Sequence, residues 1–85
     1  MKFTQCDKIL IAMLKNSGID NWVATDFMTA SDYFVGYEAS ARMSDLLRMY
    51  PELFIVGKRD KFRTLSINWE EKELIKELKN KYEII

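Results

Sequence analysis

The sequence has 85 residues, of which 48% are hydrophobic and 31% are charged, and its 13 basic and 13 acidic side chains give a formal net charge of zero. A chain of this size and composition can bury one core, so we expect a single domain over residues 1–85. Histidine is absent and cysteine occurs once, as Cys6, which excludes the usual zinc-ligand spacings and Cys/His or Ser/His nucleophile pairs.

Other functional signals are also missing from the sequence. The three glycines stand far apart, so no phosphate-binding glycine motif is present, and we expect no enzyme, cofactor or metal. The scattered carboxylates Asp20, Asp26 and Asp32 are expected to be capping and loop residues. A lone cysteine favours a reducing compartment, and we find no secretory signal or membrane-spanning run. These features predict a soluble, cytoplasmic protein.

A helix is predicted to begin after Thr4, a residue type that caps helix N-termini. Its apolar positions recur three and four residues apart, at Cys6, Ile9, Leu10, Met13 and Leu14. Residues 16–18, Asn-Ser-Gly, predict its end. Residues 20–25 then predict a short extended segment with Trp22 as a core anchor.

Two further helices are predicted in the middle of the chain. The first covers residues 25–30 and is capped by Thr25, and residues 31–37 contain Gly36 and predict a turn. The second covers residues 38–50, and Pro51 stops it. Its apolar stripe consists of Ala39, Met43, Leu46, Leu47 and Tyr50.

A hairpin follows, with residues 53–56 as an apolar first strand and residues 57–61 as its loop. In the second strand Leu65, Ile67 and Trp69 alternate with Thr64, Ser66 and Asn68, the period of a half-buried strand. Phe62 is expected either to be exposed at the tip of the hairpin or to support the hairpin from the core side, and core support is the favoured role.

The last helix is predicted to run to about Tyr82. Asn68 and Glu71 stand three residues apart, which resembles a capping box. The helix carries an apolar stripe of Leu74, Ile75, Leu78, Tyr82 and Ile85. The residues Leu74, Ile75, Leu78 and Tyr82 either pack back on the first helix or form a homodimer interface.

The predicted order is helix, strand, helix, helix, hairpin, helix, a mainly α fold with a small β-hairpin (α+β). The segments "KILIAMLKNSG", "WVAT", "TDFMTA", "EASARMSDLLRMYP" and "LFIVGKRDKFRTLSINW" in this order resemble the winged helix-turn-helix family, in particular its small bacterial and mobile-element members. The connection at residues 31–37 is longer than the three or four residues of a tight helix-turn-helix. The resemblance implies that residues 38–50 form a recognition helix for the DNA major groove. It also implies that residues 57–63 form a wing on the neighbouring backbone or minor groove.

The distribution of charge provides a separate test of this resemblance. Residues 53–68 carry a net charge of +3 and residues 20–36 a net charge of −3. We therefore expect phosphate contacts from the wing, at Lys58, Arg59, Lys61 and Arg63. The recognition helix offers Ser40, Arg42, Ser44 and Arg48 to the groove, although its charges cancel because Glu38 and Asp45 lie beside the arginines.

Two functions remain open from the sequence. The basic wing favours a DNA-binding regulator of bacterial or phage type that contacts double-stranded DNA. The neutral total charge and the balanced recognition helix favour a protein-interaction module on the same fold, in which the basic residues are only the solvated tip of a hairpin.

Overall fold

The computed structural model describes residues 3–16, 20–23, 26 and 39–84, and these form three helices and a two-stranded antiparallel hairpin. In chain order the elements are α1 (Gln5–Lys15), α2 (Ala39–Met49), β1 (Phe54–Arg59), β2 (Phe62–Ile67) and α3 (Lys72–Lys81). The described part of the chain is thus a small α+β fold. The predicted helix at residues 25–30 and turn at 31–37 lie outside it, apart from Asp26, as does Ile85.

The start of α1 follows the capping prediction and adds a contact that the sequence did not predict. The Oγ1 of Thr4 accepts a hydrogen bond from the Asp7 N–H, and the Asp7 carboxylate accepts from the Thr4 N–H, which completes a capping box. The Tyr82 hydroxyl, just past α3, donates to the other Asp7 oxygen at 2.6 Å. One carboxylate therefore joins the first turn of α1 to the end of α3.

This arrangement predicts how acid affects stability. Burial raises the pKa of Asp7, but hydrogen bonds from Tyr82 and Thr4 outweigh burial and hold that pKa below its usual range. Because the pKa of Asp7 is lower in the folded chain than in the unfolded chain, its contribution to stability is fully present at any pH above about 3.9, the pKa of Asp in an unfolded chain. This contribution is lost as the pH falls through the pKa of the folded state. The free energy of unfolding, measured in urea, should therefore fall more steeply for the wild type than for Asp7→Asn as the pH drops below about 4.

The control for this prediction is Asp60→Asn, which removes an exposed carboxylate at the hairpin turn and should keep the wild-type pH dependence. Equal pH dependence in the wild type and Asp7→Asn would show that Asp7 does not carry the effect.

The core forms where the apolar stripes of the helices meet the hairpin. As predicted, Trp22 is fully buried, and its backbone N–H and C=O both pair with Leu65 of β2, at 2.9 Å each. The core side chains supplied by the elements are Ile9, Leu10, Ala12, Met13 and Leu14 of α1, Ala39, Met43 and Leu46 of α2, Phe54 of β1, Leu65 and Ile67 of β2, and Ile75 and Leu78 of α3. Leu47 and Tyr50 are half-buried against it. The predicted stripes are thus confirmed for α1 and α2.

The hairpin is tighter than the sequence predicted. The predicted loop at residues 57–61 is wrong, because strand pairing continues to Arg59 opposite Phe62 and only residues 60 and 61 make the turn. Asp60 has φ of 57°, a left-handed conformation that Asp tolerates better than most residues. A two-residue connection then suffices to reverse the chain. Lys58, Arg59 and Arg63 are therefore strand residues with a fixed register, and Lys61 lies in the turn.

The alternating burial predicted for β2 is also wrong, because Thr64 and Ser66 are buried along with Leu65 and Ile67. The segment around Asn21 covers this second face: the Asn21 N–H donates to the Ser66 Oγ at 2.8 Å. On β1, Ile55 and Val56 are about half exposed, and among the described residues β1 pairs only with β2.

The start of α3 does not use the predicted capping box. The Asn68 side chain accepts from the Glu70 N–H in a local turn, and the helix begins only after Glu71, which makes no capping hydrogen bond with its side chain. Ile75 and Leu78 are buried in the core of this chain, and Leu74 and Tyr82 are half-buried against it. The sequence left open whether these residues pack within the chain or form a homodimer interface, and the structure shows them packed within the chain. Any second copy would meet only the remaining surface of these residues.

Candidate nucleic-acid interface

The basic residues of the hairpin lie on two different faces of it. The strand register places Lys58 opposite Arg63, and Arg59 opposite Phe62. Opposite residues share a face and faces alternate along a strand, so Lys58 and Arg63 share one face while Arg59 and Phe62 share the other. We call residues 58–63 the hairpin tip. All of its side chains are exposed.

Arg63 connects the hairpin tip to α2. Its Nη2 donates to the Ser44 Oγ at 2.6 Å, and the Ser44 hydroxyl lies 3.4 Å from the Ser40 carbonyl oxygen, one turn earlier in α2. Ser44 and Arg63 are 19 positions apart in the sequence, so no local spacing rule predicts their contact. Ser40, Ser44 and Arg63, predicted separately for the helix and the wing, are thus brought together.

The two arginines of α2 share a single carboxylate. Arg48 Nη2 lies 2.6 Å from one Asp45 oxygen, and Arg42 Nε lies 2.9 Å from the other. This confirms that the arginines pair with a carboxylate three residues away. The Arg48 side chain is 78% exposed, and exposed ion pairs contribute at most about 1 kcal/mol. An incoming phosphate can therefore replace Asp45 as the partner of Arg48.

Arg59 lies apart from this group. Its Nη2 is 3.5 Å from the Asp26 carboxylate, which also accepts from the Val23 N–H at 2.9 Å. This contact with a backbone N–H three residues earlier is of the capping kind expected of Asp26. The Arg59 charge is partly balanced within the chain, so the face shared by Lys58 and Arg63 is the stronger candidate for anions.

Phe62 does not support the core, contrary to prediction. Its side chain is 56% exposed, and the Lys61 Nζ lies 5.7 Å from the ring centroid. Phe62 is an odd number of residues from Leu65 and Ile67, so it lies on the opposite face of β2, together with Thr64 and Ser66. Those two residues are buried and Phe62 is exposed, so strand periodicity alone does not predict its position.

Cys6 lies close to α2 but is poorly suited to nucleophilic chemistry. Its Sγ is 3.9 Å from the Arg42 carbonyl oxygen. Burial, followed by the negative charge of Asp45, raises the pKa of this thiol. Reactive cysteines have the opposite shift.

Among the residues that the structure describes there is no cluster of three or more metal-ligating side chains, and no helix is long and apolar enough to cross a membrane. No protein-family model matches the sequence, and no curated protein or solved structure is found to be similar to it. Functional inference therefore rests on the geometry of the chain itself.

Proposed function

We propose that this chain is a winged-helix DNA-binding protein, a small transcriptional or mobile-element regulator. In this proposal α2 enters the major groove and the hairpin tip contacts neighbouring phosphates. The observation that carries it is the contact of Arg63 with Ser44 at 2.6 Å, because it places hairpin and helix side by side on one surface. The pairing of Trp22 with Leu65 is further support, since it joins the predicted short strand to the hairpin.

The residues divide into two roles in this proposal. Lys58 and Lys61 are exposed and form no ion pair with another described residue, so they serve as phosphate contacts. Arg59 and Arg63 add further contacts with the phosphates of the DNA backbone. Ser40, Arg42, Ser44 and Arg48 face base edges, where Arg recognises guanine and Ser bonds to several partners.

Binding to duplex DNA tests the proposal directly. Fluorescence anisotropy of a labelled random-sequence duplex should give a dissociation constant of about 10⁻⁴ to 10⁻⁶ M near physiological salt. The affinity should fall steeply from about 50 to 200 mM salt as condensed counterions are released. Absence of binding at about 50 mM salt with up to roughly 100 μM protein would refute the electrostatic basis of the proposal.

Removing the acid that pairs with both arginines of α2 should strengthen binding. Asp45→Asn frees Arg42 and Arg48 from their shared carboxylate, so we expect affinity for the same duplex to rise about three- to tenfold at low salt. The salt dependence of log affinity should become steeper by up to about one. Glu77→Gln makes the same charge change on α3 and should have little effect. Unchanged or weaker binding by Asp45→Asn would place α2 outside the interface.

One observation favours the alternative, a protein-interaction module. Asp45 pairs with both arginines of α2, which leaves that helix only one unbalanced positive charge for a polyanion. This alternative predicts no salt-sensitive affinity for duplex DNA, so the anisotropy measurement distinguishes the two functions.

A further inference from the structure

A groove separate from the candidate DNA interface runs along α3. It has a volume of about 400 Å³, within the range of ligand-binding pockets. Its apolar surface comes from Trp69 before the helix, Ile75 within it and Ile84 after it. Ile84 reaches this position because the chain turns back after α3, where its N–H donates to the Lys79 carbonyl oxygen at 2.8 Å.

Lysines form the polar edge of this groove. Lys72, Lys76 and Lys79 all line it, and their spacing of four and three residues puts them on one face of α3. In the described part of the chain no acidic side chain lines the groove, and none of the three lysines forms an ion pair. The Lys79 Nζ lies 5.9 Å from the Trp69 ring centroid, so positive charge is held directly over the aromatic surface.

We propose that this groove binds a short acidic segment of a partner protein that carries one large apolar side chain. The apolar side chain would fill the cavity between Trp69, Ile75 and Ile84, and carboxylates on either side would pair with the lysines. Such a ligand combines the two properties of the groove, an apolar floor and a positive rim.

The surrounding charges favour a short peptide over a nucleic acid. Glu73 and Glu77 are exposed on the adjoining face of α3, and residues 69–85 carry a net charge of −1. A continuous polyanion that crosses the helix meets these glutamates, whereas a segment seated between the lysines avoids them. The apolar floor also favours an aliphatic or aromatic side chain over a hydrated phosphate.

The test uses a fluorescein-labelled peptide, Glu-Glu-Phe-Glu-Glu, blocked at both ends. We expect saturable binding below about 1 mM that weakens with salt. Two control peptides should bind at least about fivefold more weakly: Gln-Gln-Phe-Gln-Gln lacks the charges, and Glu-Glu-Ser-Glu-Glu lacks the apolar side chain. In NMR spectra the indole N–H of Trp69 should shift while that of the fully buried Trp22 stays in place.

Matched variants locate the site. The double variant Lys72→Gln/Lys76→Gln should weaken peptide binding about five- to thirtyfold, since each exposed ion pair contributes up to about fivefold. Lys81→Gln alters the same helix outside the groove and should bind as the wild type does, and so should Lys58→Gln at the hairpin tip. Binding of the labelled peptide therefore tests the groove independently of DNA binding.

Three results would overturn the proposal. They are no peptide binding up to about 1 mM, equal binding by the double variant and the wild type, and displacement of the peptide by a single-stranded oligonucleotide that binds more tightly and with the same lysine dependence. The last result would assign the groove to nucleic acid. Circular dichroism of each variant establishes that the fold is retained.

Discussion

Trp22→Ala should destabilise the protein more than any other substitution considered above, by about 3–5 kcal/mol. The indole is fully buried, and its backbone pairs with β2, so truncation leaves a cavity at the junction of α1, α2 and the hairpin. Small domains have total stabilities of about 5–15 kcal/mol, and the variant should therefore be largely unfolded at moderate urea concentrations. Far-UV circular dichroism in urea measures this loss without relying on the deleted fluorophore.

A substitution on the exposed strand provides the control. Ile55 is 54% exposed, and Ile55→Ala should change the free energy of unfolding by no more than about 0.5 kcal/mol. A loss below about 1 kcal/mol for Trp22→Ala would mean that Trp22 does not hold this junction together.

The largest effect on function should come from neutralising the hairpin tip. In the triple variant Lys58→Gln/Lys61→Gln/Arg63→Gln, each substitution removes one phosphate contact, and each contact contributes about 0.9 to the slope of log affinity against log salt. The slope should therefore become shallower by about 2 to 3, and affinity at low salt should fall more than about tenfold. Anisotropy of the random duplex at several salt concentrations measures both quantities.

An equal charge change elsewhere separates this local effect from net charge. The variant Lys72→Gln/Lys76→Gln/Lys81→Gln also removes three positive charges, but on α3, and should leave the salt slope of DNA binding close to that of the wild type. If both triple variants lower the slope equally, binding depends on total charge and the hairpin tip has no special role.

Local patterns in the sequence predicted much of the fold. The Thr4 cap, the apolar stripes of α1 and α2, and the burial of Trp22 depend on short-range spacing, and the structure confirms them. The hairpin loop was predicted too long because Gly57 suggests a turn, whereas in the structure it sits in β1, opposite Thr64. A Cβ on Gly57 would lie 3.0 Å from the Thr64 Oγ1, so close packing explains this glycine better than a turn does.

Less of the candidate site than of the fold could be predicted from the sequence. Its residue types were predicted, but the contact of Arg63 with Ser44 depends on how β2 packs against α2, which no spacing encodes. The groove along α3 is a similar case. The regular spacing of Lys72, Lys76 and Lys79 is visible in the sequence, but the apolar floor appears only when Trp69 and Ile84 close it from both ends.

The open side of β1 has a consequence for the behaviour of the protein in solution. Among the described residues β1 has no partner on its outer edge, and a strand edge of this kind with exposed Ile55 and Val56 is a template for edge-to-edge association between molecules. Lys58 and Arg59 follow after Gly57 on the same strand, and two copies paired in parallel and in register would bring these like charges close together. The basic residues thus oppose aggregation whether or not a ligand is present, and their neutralisation removes this protection along with any affinity for DNA.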